Sequence, residues 1–242
     1  MLERRHLLIV GAPRTGTTLL ATMIGRHTEI GVLNEDKGWA MRRMLGRVIV
    51  GNKRCIPNQI ELNMPNRLKI RLWKKLGLAK EYQSSYYSIE DYLRLPHIKV
   101  IGIIREGNDA VSSNMRRGKK GFRGAAYRWC RAIEIIHQLA MRIPESVLVV
   151  SFEDLVLRPK ANMERIAAFL EVDYQERMLE GPIYNPWYPE TGMNPEKVNR
   201  SRKEKIDYKL AELFPAIDGQ YHELLNLCRT TPVLPTARSS HG

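Results

Sequence analysis

Residues 7–18 constrain the fold more than any other part of this chain. Residues 7–10, Leu-Leu-Ile-Val, are apolar without a break, and the sequence then turns small and polar as Gly11-Ala12-Pro13-Arg14-Thr15-Gly16-Thr17-Thr18. Beyond that, Leu19, Leu20, Met23 and Ile24 recur at helical spacing. A short strand with no polar alternation is buried on both faces, which is the signature of a parallel sheet. A glycine loop joining such a strand to a helix aims backbone N–H groups and the positive helix end at one place, and a phosphate or similar anion is the expected guest.

The same unit recurs downstream. Residues 29–33, 98–104 and 147–150 read as further buried strands, and the periodicity predicts helices over 36–48, from a capping box at Ser88, after Arg105, over 124–143, over 159–170, over 203–213 and over 220–227. Residues 181–195, rich in Pro, Gly and Asn, read as a loop. Alternating strands and helices define an α/β fold with a P-loop-like parallel sheet covered by helices on both faces, and ligands then belong at the carboxyl ends of the strands. At one domain per ~150 residues, 242 residues fit a single domain over 1–229 with a disordered tail over 230–242.

Hydrophobic residues at 43% and charged residues at 27% exclude disordered and low-complexity classes. The formal charge of +13 points to an anionic partner, and residues 37–80 carry most of it, with twelve Lys or Arg against Glu61. That segment suits an acidic acceptor or forms solvated amphipathic helices. Three distant cysteines support neither a disulfide framework nor a zinc site. The first apolar run is too short for a signal peptide and no stretch approaches 18 apolar residues, so the expectation is a cytoplasmic protein without a membrane span.

The loop spacing is GxxxxG followed by Thr17, where an NTPase loop carries its phosphate-binding Lys; a cation instead enters earlier, at Arg14. Residues 12–19 resemble the 5'-phosphosulfate loop of sulfotransferases that use 3'-phosphoadenosine 5'-phosphosulfate (PAPS), with the tyrosylprotein sulfotransferase group nearest in flavour. A second signature is similar to that family's 3'-phosphate site, an Arg at a strand end and a Ser eight residues later: Arg105 and Ser113. Residues 149–159 resemble its strand followed by Tyr-Glu-Asp-Leu, with Phe152 in place of Tyr, which keeps an aromatic face and loses a hydroxyl.

The resemblance implies a sulfotransferase-type three-layer sandwich, PAPS as sulfuryl donor, and cofactor binding by Arg14, Thr15, Gly16, Thr17, Thr18, Arg105 and Ser113. It implies no metal, no nucleic-acid partner, and a hydroxylated acceptor, whether carbohydrate, small metabolite or tyrosine in a peptide. Glu35, at a strand end 21 residues after Arg14, is the candidate base, with Asp36 its rival. Arg14 and Lys80 are the candidate catalytic cations; Lys80 lies 25 residues before Arg105, although Tyr82 stands where the family has Pro. Near the carboxyl terminus, Lys197, Arg200, Ser201 and Arg202 either close over the cofactor, as a basic segment does in the family, or form a solvated helix face, the reading that helical spacing favours. His27 reads as a packed residue and Trp129 as core, while Trp39, Trp73 and Trp187 are candidates to line an acceptor cleft. Two other readings stay open on the residues alone: an atypical P-loop kinase dependent on ATP and magnesium, and a nucleic-acid-binding module using the basic segment.

Overall fold

In the computed structural model the residues described are 4–36, 46–63, 87–117, 121–184 and 193–230. The apolar run at residue 7 forms β1 (Arg5–Gly11) and the loop opens α1 (Thr17–Ile24). Then come β2 (Ile30–Asn34), β3 (Ile49–Cys55), α2 (Ile89–Tyr92), β4 (Ile98–Ile104), α3 (Gly107–Arg117), α4 (Phe122–Arg142), β5 (Val147–Ser151), α5 (Phe152–Leu157) and α6 (Pro159–Phe169). The capping box at α2 is complete: Ser88 Oγ accepts from the Asp91 N–H and the Asp91 carboxylate accepts from the Ser88 N–H. Among the described residues all pairings are parallel, in the order β2-β3-β1-β4-β5.

Side chains alternate across β1. Leu8 and Val10 enter one core with Val50, Val100 and the apolar stripe of α4, including Trp129, Ile133 and Ile136. Leu7 and Ile9 enter the other with α1 and with Met163 and Ile166 of α6. Burial on both faces of one sheet explains why the strand runs are continuously apolar, and it gives the three layers.

Five expectations change. The helix over 36–48 does not reach its predicted end: Asp36 is not helical, Gly46 takes a left-handed φ of 79°, and β3 follows almost at once; residues 37–45, with Met41 and Met44, lie outside the described residues. β3 itself is absent from the sequence reading, although all seven of its residues are buried. The helix over 203–213 is two single turns, α7 (Arg200–Lys203) and α8 (Leu210–Leu213), interrupted where Lys205 and Lys209 adopt φ of 51° and 52°. The last helix, α9 (Pro215–Thr230), is longer than 220–227 and takes in residue 230; residues 231–242 lie outside the description. Within the predicted loop over 181–195, a 3-10 stretch (Glu176–Tyr184) runs into its start.

Candidate active site

Backbone geometry dictates both loop glycines. Gly11 ends β1 between Cys55 of β3 and Ile103 of β4, and a Cβ there would stand 2.7 Å from the Ile103 carbonyl oxygen. Gly16 has φ of 94°, and its Cβ would stand 2.5 Å from the Phe152 ring. Between them Arg14 takes φ of 76°. Thr15, expected at the cofactor, does not line the cavity: it is buried, and its hydroxyl and N–H both donate to the Ala12 carbonyl, at 2.8 and 3.3 Å. It shapes the turn. The next residue opens α1, which has no side-chain cap and no acid in its first turn, so its orphan N–H groups and positive end remain for an anion. Thr17 and Thr18 line the space in front of it, with the Thr17 hydroxyl 3.6 Å from Cys55 Sγ.

That space is a cavity of ≈470 Å³ at the carboxyl ends of all five strands. β1 contributes the loop, β2 leads to Glu35, β3 carries Lys53 and Cys55, β4 leads to Arg105, and β5 leads to Phe152. Among the described residues, its lining includes seven Lys or Arg side chains against one carboxylate, that of Glu35. A polyanion fits this field, because a cleft with low-dielectric walls concentrates the attraction.

Arg105 and Ser113 sit beside the loop. Arg14 Nε donates to Ser113 Oγ at 3.4 Å, and Arg105 donates to the Arg14 carbonyl at 3.1 Å, so two signatures about ninety residues apart form one constellation. Arg105 is 5% exposed; its guanidinium lies 4.3 Å from the centroid of Phe152, and it pairs with Asp109 at 3.5 Å. The Nε of Arg105 is buried with no hydrogen-bond partner among the described residues, a donor whose free energy a ligand would recover. Phe152 thus packs beside Gly16 and beneath the Arg105 guanidinium. Glu106 does not pair with Arg105; its carboxylate caps α3, accepting from the N–H groups of Asn108 and Asp109 at 2.9 and 2.7 Å.

Glu35, half-exposed, accepts from Lys53 Nζ at 2.7 Å, while the Lys53 side chain is only 1% exposed. Burial pushes the Glu35 carboxyl up, but the hydrogen bond and charge of Lys53, with Gln59 and Arg54 adding, hold it below the ordinary carboxylate value. The sequence reading did not single out Lys53, counting it only among the basic residues of 37–80. The second cation named there, Lys80, lies outside the described residues, as do Trp39, Trp73 and Trp187. Arg116 and Arg117 also line the cavity and were missed, although they follow Ser113 by three and four residues on one helix, the spacing that shares a face. Of the carboxyl-terminal candidates, Lys197 and Arg200 line the cavity and Arg202 does not. Ser201 instead docks its segment on α3, its N–H donating to Asp109 and its hydroxyl to Glu106. Asp36 is not part of the lining. His27 is packed, one ring nitrogen meeting the Asp173 carbonyl at 2.8 Å and the other accepting from the Glu29 N–H. Trp129 is core, and its Nε1 donates to the Arg105 carbonyl at 3.0 Å.

A family model described as "Sulfotransferase family" matches residues 92–176, the stretch that carries Arg105, Ser113 and Phe152. Protein-tyrosine sulfotransferase 1 of Danio rerio is 25% identical over 194 residues, covering 72% of this chain and 55% of its own length. Protein-tyrosine sulfotransferase A of Caenorhabditis elegans is 27% identical over 201 residues, covering 72% of this chain and 51% of its own. The chain thus spans about half the length of the curated relatives it matches. In fold it is similar to the sulfotransferase domain from the curacin biosynthetic pathway, with a TM-score of 0.63 at 13% identity, covering 92% of this chain and 99% of that one. The fold and the matched segment bearing Arg105 and Ser113 support membership in the sulfotransferase superfamily. The curated relatives it is similar to are protein-tyrosine sulfotransferases, at 25–27% identity.

Proposed function

We propose that this chain transfers a sulfuryl group from PAPS to the phenolic hydroxyl of a tyrosine in a protein or peptide. The observation that carries the reading is the single cavity in which the glycine loop and the Arg105–Ser113 pair meet the Glu35–Lys53 pair. The donor fits on the structure's own terms: the lining is strongly cationic, the first turn of α1 is uncapped, and Arg105 holds a buried donor without a partner. Bound there, PAPS supplies a sulfuryl group activated by its bond to phosphate.

In this reading Arg14 and the N–H groups of α1 hold the 5' end of the donor, and Arg105 with Ser113 holds its 3'-phosphate. Glu35 takes the proton of the acceptor hydroxyl, and a phenol, with an ordinary pKa of about 10, needs less help than an alcohol. Lys53, within reach of Glu35, neutralises negative charge that develops beside it during transfer. The tyrosine acceptor is supported by the names of the relatives, and the seven cations suit acidic residues flanking that tyrosine.

Calorimetry with 3',5'-ADP, 5'-AMP, ATP plus magnesium, and a random DNA duplex tests the donor. We expect 3',5'-ADP to bind well above 5'-AMP. Arg105→Ala should cost about 10- to 100-fold of that preference, the ~1.5–3 kcal/mol of a charge-assisted hydrogen bond. Equal affinity for the two nucleotides in the wild type would refute the assignment of Arg105 and Ser113, and tight ATP–magnesium or duplex binding would favour the kinase or nucleic-acid reading. Turnover of PAPS should also survive EDTA: position 17 lacks the NTPase Lys, and among the described residues no group of three or more His, Cys, Asp or Glu is placed to hold a metal ion. Activity lost to chelator and restored by magnesium would count for the kinase.

A further inference from the structure

Glu35 reaches the cavity through an unfavourable backbone. Its φ is 62°, in the left-handed region that a side chain with a Cβ seldom adopts, and such a residue persists only where its surroundings over-determine it. The surroundings here are three consecutive residues of β3. The Glu35 N–H donates to the Lys53 carbonyl at 3.0 Å. Asn52 brackets the next residue, its Oδ1 accepting from the Asp36 N–H at 3.2 Å and its Nδ2 donating to the Asp36 carbonyl at 2.8 Å. Arg54 donates from one terminal nitrogen to the carbonyls of both Glu35 and Asp36, at 2.6 and 2.9 Å, and from the other to the Gln59 carbonyl at 2.7 Å.

Arg54 is unusual in its burial, at 1% exposed, and in what it binds. Guanidinium groups in protein interiors are ordinarily matched to carboxylates. This one uses its terminal donors on three main-chain carbonyls: two in the turn that bears Glu35, and one in the turn after β3, whose Asn58 and Gln59 line the same cavity. Asn52 and Arg54 share one face of β3, with Lys53 on the other, so the strand grips the backbone of the turn on one side and the carboxylate on the other.

We propose that Arg54, assisted by Asn52, is a positioning residue for the reaction: it holds residue 35 in its left-handed conformation so that the carboxylate meets Lys53 and the acceptor. The proposal rests on the reading of Glu35 as base. Arg54 does not line the cavity; it acts through the Glu35 backbone.

The test is a double-mutant cycle on the full chain, with PAPS and an acidic tyrosine-bearing peptide as probes and with 3',5'-ADP affinity measured in parallel. Arg54→Met should lower kcat about 10- to 100-fold, the scale of a catalytic group displaced by an ångström, while the KM for PAPS and the Kd for 3',5'-ADP stay within about twofold. In a Glu35→Gln background the same substitution should cost under about twofold, because the group it positions is already disabled. Equal losses in both backgrounds, or a donor KM and Kd that rise along with the fall in kcat, would overturn the proposal. A Glu35→Gln variant that turns over normally would sink the base assignment itself, and the proposal with it; that arm separates the two failures. If Arg54→Met does not fold, Arg54→Lys, which keeps the charge but presents one nitrogen for three carbonyls, enters the same cycle. It should lose less kcat with the same dependence on Glu35, and a loss independent of Glu35 would again refute the proposal.

Discussion

Replacing Glu35 with Gln should lower turnover by about 10² to 10⁴, the usual weight of general-base catalysis, and leave 3',5'-ADP affinity almost unchanged. The amide keeps the size of the carboxylate and can still accept from Lys53, so the cavity should survive while the basicity goes. Asp36→Asn is the control. Asp36 does not line the cavity and its backbone is held by Asn52 and Arg54, so it should cost far less. The measurement is steady-state turnover of PAPS on an accepted peptide, with calorimetry of 3',5'-ADP beside it. A reversed ranking would transfer the role to Asp36, and wild-type turnover in Glu35→Gln with chemistry rate-limiting would remove the base from residue 35.

Lys53→Met should have the second large effect, about 10² to 10³ in kcat, comparable with the loss of one preorganised donor at a developing charge. Methionine fills much of the same space, and Glu35, half-exposed, is left with water rather than stranded, so the fold should tolerate the change. The pH profile gives an independent sign. The Glu35 carboxyl lies below its ordinary value, so the stabilisation from its pairing is present above the unfolded carboxylate pKa and is lost as pH falls through the folded one. Removing Lys53 removes the main lowering influence while burial still pushes upward, so the acidic limb of the rate profile should move to higher pH. An unmoved limb would mean that the limb reports some other group.

How far the sequence revealed this site depended on what each strand carries at its end. Gly11 and Gly16 were legible because the backbone tolerates nothing else there, and Arg105 with Ser113 because their eight-residue spacing matches the family pattern this sequence resembles. β3 was illegible for a physical reason. A buried parallel strand announces itself by unbroken apolar residues, and here Gly51, Asn52, Lys53 and Arg54 occupy the interior of the strand. Asn52, Lys53 and Arg54 are buried and grip the Glu35 turn, and their polarity hid the strand. Losing β3 also lost Lys53; Lys80, reached by the 25-residue count back from Arg105, lies outside the described residues. The broken helices between residues 200 and 213 were misread because the left-handed backbone at Lys205 and Lys209 leaves no mark on residue type.

The strand order carries a consequence for how such a molecule fails. Among the described residues β2, which leads to Glu35, is an outer strand paired only with β3, whereas the loop and Arg105 follow the interior strands β1 and β4. Local opening starts where pairing is one-sided. Fraying of β2 would detach the base while the donor seat stays assembled, producing a population that still captures nucleotide but is catalytically silent. Under gentle heat or denaturant, turnover would then fade ahead of nucleotide capture, and the cooperative melting of the sheet would come last.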